Sequence, residues 1–256
     1  GLPDANSRLI ALLPRINGPP LIVDIFRITG TEETYTWMIH SRFGTLEVDG
    51  VQSLTAVKVP GPLRSGRSAI TAQQVIATWL PGVDEPCGLQ VIIPNGEETT
   101  VTLSECPPEE DVIDRLHEAG GTLKSGAIIP YRGHLQLTRK GPDTRFVAIH
   151  VPFEGTTPSI TSSCSVIGSH ALYLEVTTED ETFALLYNSG QDDVSHGDMH
   201  LAGRCAIATV RNNELVSLAL GTGKRIRYSG VDLLAGESGN AYGVMEGQQL
   251  IDKEIL

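Results

Sequence analysis

Aromatic residues are scarce in this 256-residue chain, at 5%, and only two are tryptophan. Any sugar-stacking platform therefore rests on very few rings, since such platforms use aromatic faces. Trp37 falls inside a strand pattern and reads as core. Trp79, just before Leu80-Pro81-Gly82, is the better candidate for a sugar platform, with Tyr131 after Pro130 as another. Packing as a core or loop anchor is expected ahead of that role for both. Positive charge is also short: 19 Lys plus Arg stand against 31 Asp plus Glu, a formal net charge of −12. Such a field repels nucleic acid and anionic membrane. It also disfavours a broad surface for gripping polyanions, although a local arginine cluster can still take a carboxylate. No apolar run approaches the roughly 18 residues of a membrane-spanning helix, so no membrane insertion is expected.

Cysteine is limited to Cys87, Cys106, Cys164 and Cys205. These are too few and too scattered for a disulfide framework or a zinc ribbon, and they leave the redox compartment open. Cys87 and Cys106 bracket a candidate hairpin around Gly96. Placing Leu89, Val91 and Ile93 on one face with Val101 and Leu103 sends the two thiols to opposite faces, so both are expected free. Helical periodicity is nearly absent. Only Glu109–Ala119 carries it, with Pro107-Pro108 ahead, acids in the first turn and Gly120-Gly121 behind.

What the sequence does have is short apolar or alternating runs, punctuated by Gly, Pro, Asn and Asp. They include Leu21–Ile28, Tyr35–His40, Val75–Trp79, Leu89–Ile93, Thr99–Leu103, Leu135–Thr138, Arg145–Val151, Ala171–Val176, Phe183–Tyr187, Cys205–Val210, Leu215–Leu220 and Arg225–Tyr228. Their length and β-branched content predict an all-β fold, a large antiparallel β-sandwich with one short helix. No composition shift marks a boundary, so residues 1–256 read as one domain, with Gly61–Gly66 as a loop and Leu2–Gly18 irregular, apart from a candidate strand at Leu9–Leu13. The chain opens on Gly1 rather than Met, so it is expected to be trimmed of an upstream part.

Three sets of residues carry possible chemistry. Asp24 shares strand parity with Ile22, Phe26 and Ile28, which puts a carboxylate on an apolar face. There it needs hydrogen bonds or a cation, so a structural pairing is expected ahead of a functional role. His40 is followed by Arg42, and Arg64 and Arg67 come on a later segment. An imidazole and several guanidinium forks at one rim could hold a uronate carboxylate, the alternative being solvated surface charges. His196, Asp198 and His200 alternate, so on one strand all three point the same way. That spacing could hold Zn²⁺ or another divalent ion, but exposed polar residues of an edge strand look the same, and no bound metal or other cofactor is expected.

The stretch Leu21-Ile-Val-Asp-Ile-Phe-Arg-Ile-Thr-Gly30, followed by Tyr35-Thr-Trp-Met-Ile-His40, resembles a strand pair in the C-terminal sandwich of heparinase II/III-like polysaccharide lyases. Asp143-Thr-Arg-Phe-Val-Ala-Ile-His-Val-Pro-Phe-Glu-Gly155 is similar to a later strand of those proteins. Gly197-Asp-Met-His-Leu-Ala-Gly-Arg204 and Tyr228-Ser-Gly-Val231 resemble their closing strands. The order agrees from about residue 9 onward. The resemblance implies a sandwich from an enzyme that cleaves uronate polysaccharides by β-elimination. It also implies a polysaccharide partner reached through an upstream helical domain, and a periplasmic or extracellular location. Family catalytic residues come from that helical domain and an earlier His-rich strand, so none transfers to a position here. The expected role is structural or substrate-cleft support, not catalysis alone; the alternatives are a stand-alone carbohydrate-binding module and a structural or assembly domain.

Overall fold

A computed structural model of the chain describes residues 5–30, 33–40, 45–80, 87–94, 96–107, 132–246 and 249–255. Among these the fold is all-β and every strand pairing is antiparallel, as the sequence pattern predicts for a sandwich. The helix expected over Glu109–Ala119 lies outside the described residues. No described helix is long and apolar enough to cross a membrane. The sequence reads as one domain, and within it contacts group into two compact units. Unit 1 comprises Gly1–Pro14 and Gly18–Thr157; unit 2 comprises Arg15–Asn17 and Pro158–Leu256.

Unit 1 holds β1 (Ala5–Leu13), β2 (Leu21–Thr29), β3 (Thr34–His40), β4 (Leu46–Asp49), β5 (Thr55–Ala56), β6 (Arg64–Thr71), β7 (Val75–Trp79), β8 (Cys87–Ile93), β9 (Thr99–Cys106), β10 (Arg132–Lys140) and β11 (Asp143–Glu154). A six-stranded sheet runs β1-β2-β11-β8-β7-β4 and a five-stranded sheet runs β3-β10-β9-β6-β5. Strand β3 shows why the pattern works: Tyr35, Trp37 and Ile39 turn inward while Thr34, Thr36, Met38 and His40 stay exposed. Inward residues of both sheets, among them Trp79, Val91, Leu103, Leu135, Leu137 and Phe146, make one core. Each such large apolar side chain contributes about 1.5–3 kcal/mol on burial.

Three local expectations change. Strand β1 runs through a segment read as largely irregular, and Arg64–Gly66 belong to β6 instead of a loop. The hairpin around Gly96 does not form. Strand β8 pairs with β7 and β11, whereas β9 pairs with β6 and β10 in the other sheet. Between Ile93 and Thr99 the chain crosses from one sheet to the other. Val91 and Ile93 then meet Val101 and Leu103 across the core, which satisfies the same alternation without pairing the strands. All four cysteines are free, Cys87 exposed and Cys106 buried, but the expected hairpin register is not the reason.

Unit 2 is built on one eight-stranded sheet. Its strands are β12 (Thr161–Ile167), β13 (Ala171–Thr177), β14 (Thr182–Asn188), β15 (Val194–His196), β16 (Met199–Arg211), β17 (Glu214–Tyr228), β18 (Val231–Glu246) and β19 (Gln249–Ile255). The order is β12-β13-β14-β16-β17-β18-β19, with β15 pairing β16 beyond the end of β14. The tight turns after β16 and β17 take left-handed backbone at Asn212 and Asn213 (φ 51° and 64°) and at Ser229 and Gly230 (φ 47° and 85°). These are the mirror-image turns that suit two-residue hairpins.

Strands β16 and β17 are too long to lie straight over one small core. Register shifts interrupt them where Gly203 faces Gly223. A Cβ on Gly203 would sit 2.6 Å from the Cα of Gly223, and one on Gly223 would sit 2.7 Å from the Ala202 carbonyl oxygen. Only glycine permits that approach. The bend brings Met199, Leu201 and Ile226 from one half of the strands into a single cluster with Ala206, Leu218 and Leu220 from the other. Leu215 and Tyr228 also line one cavity of about 300 Å³. At about 3.3 Å per residue, a straight strand would hold them roughly 40 Å apart. Asn188, 2% exposed, secures the break on the β14 side. Its Nδ2 donates to the carbonyls of Asp192 (2.8 Å) and Gly203 (3.2 Å), and its Oδ1 accepts the Gly190 N–H (2.8 Å).

Candidate functional site

A groove of unit 1 is lined by residues of β4, β5, β6, β9 and β10. It has a volume of about 620 Å³, with Leu46, Leu103 and Gly133 at its floor and Ser65, Arg67 and Glu105 among its polar lining. Gly133 is needed there, because a Cβ would lie 2.3 Å from the Leu46 Cβ. The Gly133 carbonyl accepts a 2.9 Å hydrogen bond from Trp79 Nε1 beneath it.

A β-bulge in β6 sets the polar side of this groove. Arg64 pairs with Glu105 and Arg67 with Leu103, so two residues, Ser65 and Gly66, stand against Ser104 alone. In an unbroken strand, residues three apart point to opposite faces; the extra residue brings Arg64 and Arg67 to the same face. Ser65 carries the irregularity with φ 57°. Arg64 Nε donates to Glu105 Oε2 at 2.8 Å, and Ser65 Oγ donates to the same oxygen at 3.1 Å. Among the described residues the Arg67 side chain has no ion-pair or hydrogen-bond partner.

The remaining members of the expected cluster lie elsewhere. His40 is exposed and sits opposite His134 in the β3–β10 pairing, ring centroids 6.4 Å apart, on the sheet face that turns away from the core. From there to β6 the sheet crosses β10 and β9, about 14 Å at the usual strand spacing. His40 and Arg67 therefore do not share a rim, and Arg42 lies outside the described residues. Trp79 is 1% exposed, so it anchors the core and offers no open face to a sugar. Tyr131 lies outside the described residues.

His134 is a buried imidazole that the sequence pattern does not single out. It is 4% exposed, and its Nδ1 lies 2.9 Å from Ser104 Oγ, the tautomer deciding which donates. Burial, with a smaller push from His40, holds its pKa below the usual histidine value. A paired position on β10 with a hydroxyl opposite was the available signal, but it depended on knowing which strand was the neighbour.

Asp24 is 5% exposed and accepts a bidentate pair from Arg8, Nε to Oδ1 and Nη2 to Oδ2, both at 2.9 Å. Trp37 Nε1 adds a longer contact of 3.5 Å to Oδ2 from the opposing sheet. The expected structural pairing is what forms, and the carboxylate raises the Arg8 pKa further by its hydrogen bond and charge. His150 stacks at a tilt beside Trp37, centroids 6.2 Å apart. Its pKa is lowered chiefly by burial, with Arg8 reinforcing and Asp24 opposing.

His196, Asp198 and His200 do not lie on one strand. His196 ends β15, Gly197 and Asp198 form the turn, and His200 belongs to β16. His196 pairs with Met199 and shares its face, where it stacks on Tyr173 at 4.3 Å. His200 pairs with Ser195 on the other face, its Nδ1 2.7 Å from that hydroxyl. The turn thus sends the two imidazoles to opposite sides, and no metal-holding group of three His, Cys, Asp or Glu occurs among the described residues. In comparison with known proteins, the chain matches no family model and no curated sequence.

Proposed function

We propose that this chain is the β-sandwich region of a heparinase II/III-like polysaccharide lyase, forming one wall of a substrate cleft without catalysing alone. The observation that carries the proposal is the position of the resembling segments. The two that contain Asp24 and His150 form neighbouring strands β2 and β11, and the one ending in His40 forms an edge of the facing sheet. The closing segments cover the start of β16 with the turn before it, and the turn from β17 to β18. Weak sequence patterns therefore fall on strands and a strand turn, two of the strands paired directly. β-Elimination needs a carboxylate neutraliser, a base and an acid within hydrogen-bond reach of one sugar. Among the described residues His40 lies on one face of its sheet and Arg67 on the other, so these two do not converge on one sugar. A periplasmic or extracellular setting and a polysaccharide partner belong to the same proposal.

The direct test is an absorbance assay for unsaturated uronate product, run with this chain on heparin-like, alginate-like and pectin-like polymers. No product is expected. Product above the protein-free control, lost on His40→Ala, overturns the non-catalytic role. One observation favours a second reading, a carbohydrate-binding module without an enzymatic partner: the Arg67 groove is open and its cation unpaired. The full open reading frame separates the two, since a helical domain ahead of the sandwich supports the lyase.

A further inference from the structure

We infer that the groove at the β6 bulge is a binding site for one carboxylate on a hydroxylated ring, with Arg67 as the residue that receives it. The sugar-acid part of this rests on the proposed function; the carboxylate part rests on the groove itself.

Charge sets the class of ligand. Arg64, Arg67 and Glu105 together give one excess positive charge, and Glu105 is already engaged by Arg64 and Ser65. Arg67 carries the surplus, and among the described residues nothing compensates it. A guanidinium fork matches a carboxylate with two parallel N–H···O bonds. A monoanion balances these three groups. A dianion leaves the balance negative beside Glu105, in a protein whose own net charge is −12. The same field opposes a long polyanion laid across the surface, so the site suits one sugar-acid unit at a time.

Shape agrees with charge. Leu46 and Leu103 offer an apolar floor at the edge of the core, suited to the C–H face of a pyranose, while Thr45 and Ser65 line the groove with hydroxyls. The convergence of both arginines depends on the bulge, and the bulge is held with a non-glycine residue, Ser65, at φ 57°. Left-handed backbone at such a residue is strained, and such strain clusters at ligand clamps. A regular β6 would avoid it, but Arg64 would then leave the face that Arg67 shares with Glu105.

Calorimetric titration of the whole chain with sodium glucuronate, sodium acetate, glucose and inorganic phosphate tests this. Glucuronate is expected to bind more tightly than acetate or phosphate, and glucose least. Arg67→Gln is expected to weaken glucuronate at least tenfold with the melting temperature unchanged, because the side chain has no structural partner. Glu105→Gln, which removes a negative charge from the groove, is expected to shift preference toward phosphate. Glucuronate binding that survives Arg67→Gln overturns the site. So does phosphate binding more tightly than glucuronate to the unmodified chain. Equal, Arg67-dependent binding of acetate and glucuronate keeps the carboxylate site but overturns the sugar-acid assignment. No binding of either carboxylate overturns the groove and leaves the lyase-sandwich proposal to its own product assay.

Discussion

Each unit of the molecule contains one prominent strand irregularity, and the two do opposite things. In β6 the extra residue redirects side chains: the backbone stays in its sheet while Arg64 and Arg67 come to share a face. At Gly203 and Gly223 the irregularity redirects the backbone, and there are no side chains at the point of closest approach. The difference follows from what each unit must bury. Unit 1 covers its apolar sheet face with a second sheet, so a bulge near the rim is free to serve surface chemistry. The hydrophobic cluster of unit 2 draws on both halves of β16 and β17 from a single sheet, so its bend is a condition of having a core. Side chains crowd the first bulge for the same reason that they are excluded from the second.

The largest expected effect breaks the second bend. Gly203→Val places a side chain against the Gly223 backbone, which cannot yield as a flexible side chain would. A loss of about 3 kcal/mol or more is expected, with unit 2 losing its cooperative unfolding transition in urea. An unchanged midpoint would mean that the bend does not depend on bare backbone. Smaller is Trp79→Phe in unit 1, which keeps most of the packing but removes the donor to the Gly133 carbonyl. A cost of about 1–3 kcal/mol is expected for leaving a buried acceptor unpaired, read from the same urea titration.

Acid should distinguish the units further. In unit 1, His134 and His150 both have pKa values lowered chiefly by burial. The unfolded chain then binds their protons more readily than the folded one. The stability they contribute is complete above the unfolded value, near pH 6.5, and is lost as the pH falls from there through the folded values. The urea midpoint of unit 1 is expected to drop between pH 7.5 and pH 5, and His134→Gln should flatten that slope. A midpoint that rises on acidification has the wrong sign for this account. The smallest perturbation is a thiol count. Exposed Cys87 should react first with a chromogenic disulfide reagent. Cys205, whose thiol burial pushes up to about 12, should react only when unit 2 unfolds. Fast labelling of Cys205 in native protein would show that unit 2 opens locally.

Much of the site was within reach of the sequence, though unevenly. Asp24 was identifiable because a carboxylate at an inward parity has to find a partner, and Arg8 is that partner. Arg64 and Arg67 were identifiable as a pair by residue type, but their convergence was not, since their spacing in a regular strand sends them apart. For Trp79 the favoured expectation of core packing is what forms. A tryptophan ahead of a Leu-Pro-Gly turn suggests a surface ring, yet its indole N–H found a backbone carbonyl in the interior. The alternation of His196, Asp198 and His200 suggested one strand face, but Gly197 begins a turn there with φ 53°, and the turn reverses the chain between the two imidazoles.

By itself the sequence determined the all-β class, the run of most strands and, in β3, which side chains face inward. Those features depend on a two-residue period and on local turn chemistry, both of which can be counted along a chain. Only the tertiary structure decided which strand lies beside which. The segments of β8 and β9 satisfy their alternation equally well as a hairpin or as opposite walls of a core, and the core prevailed. Only the tertiary structure, too, placed the bulges, since one extra residue in a polar stretch leaves the apolar pattern on either side readable. Alternation specifies a face; the neighbour across it is chosen by what the whole sheet must bury.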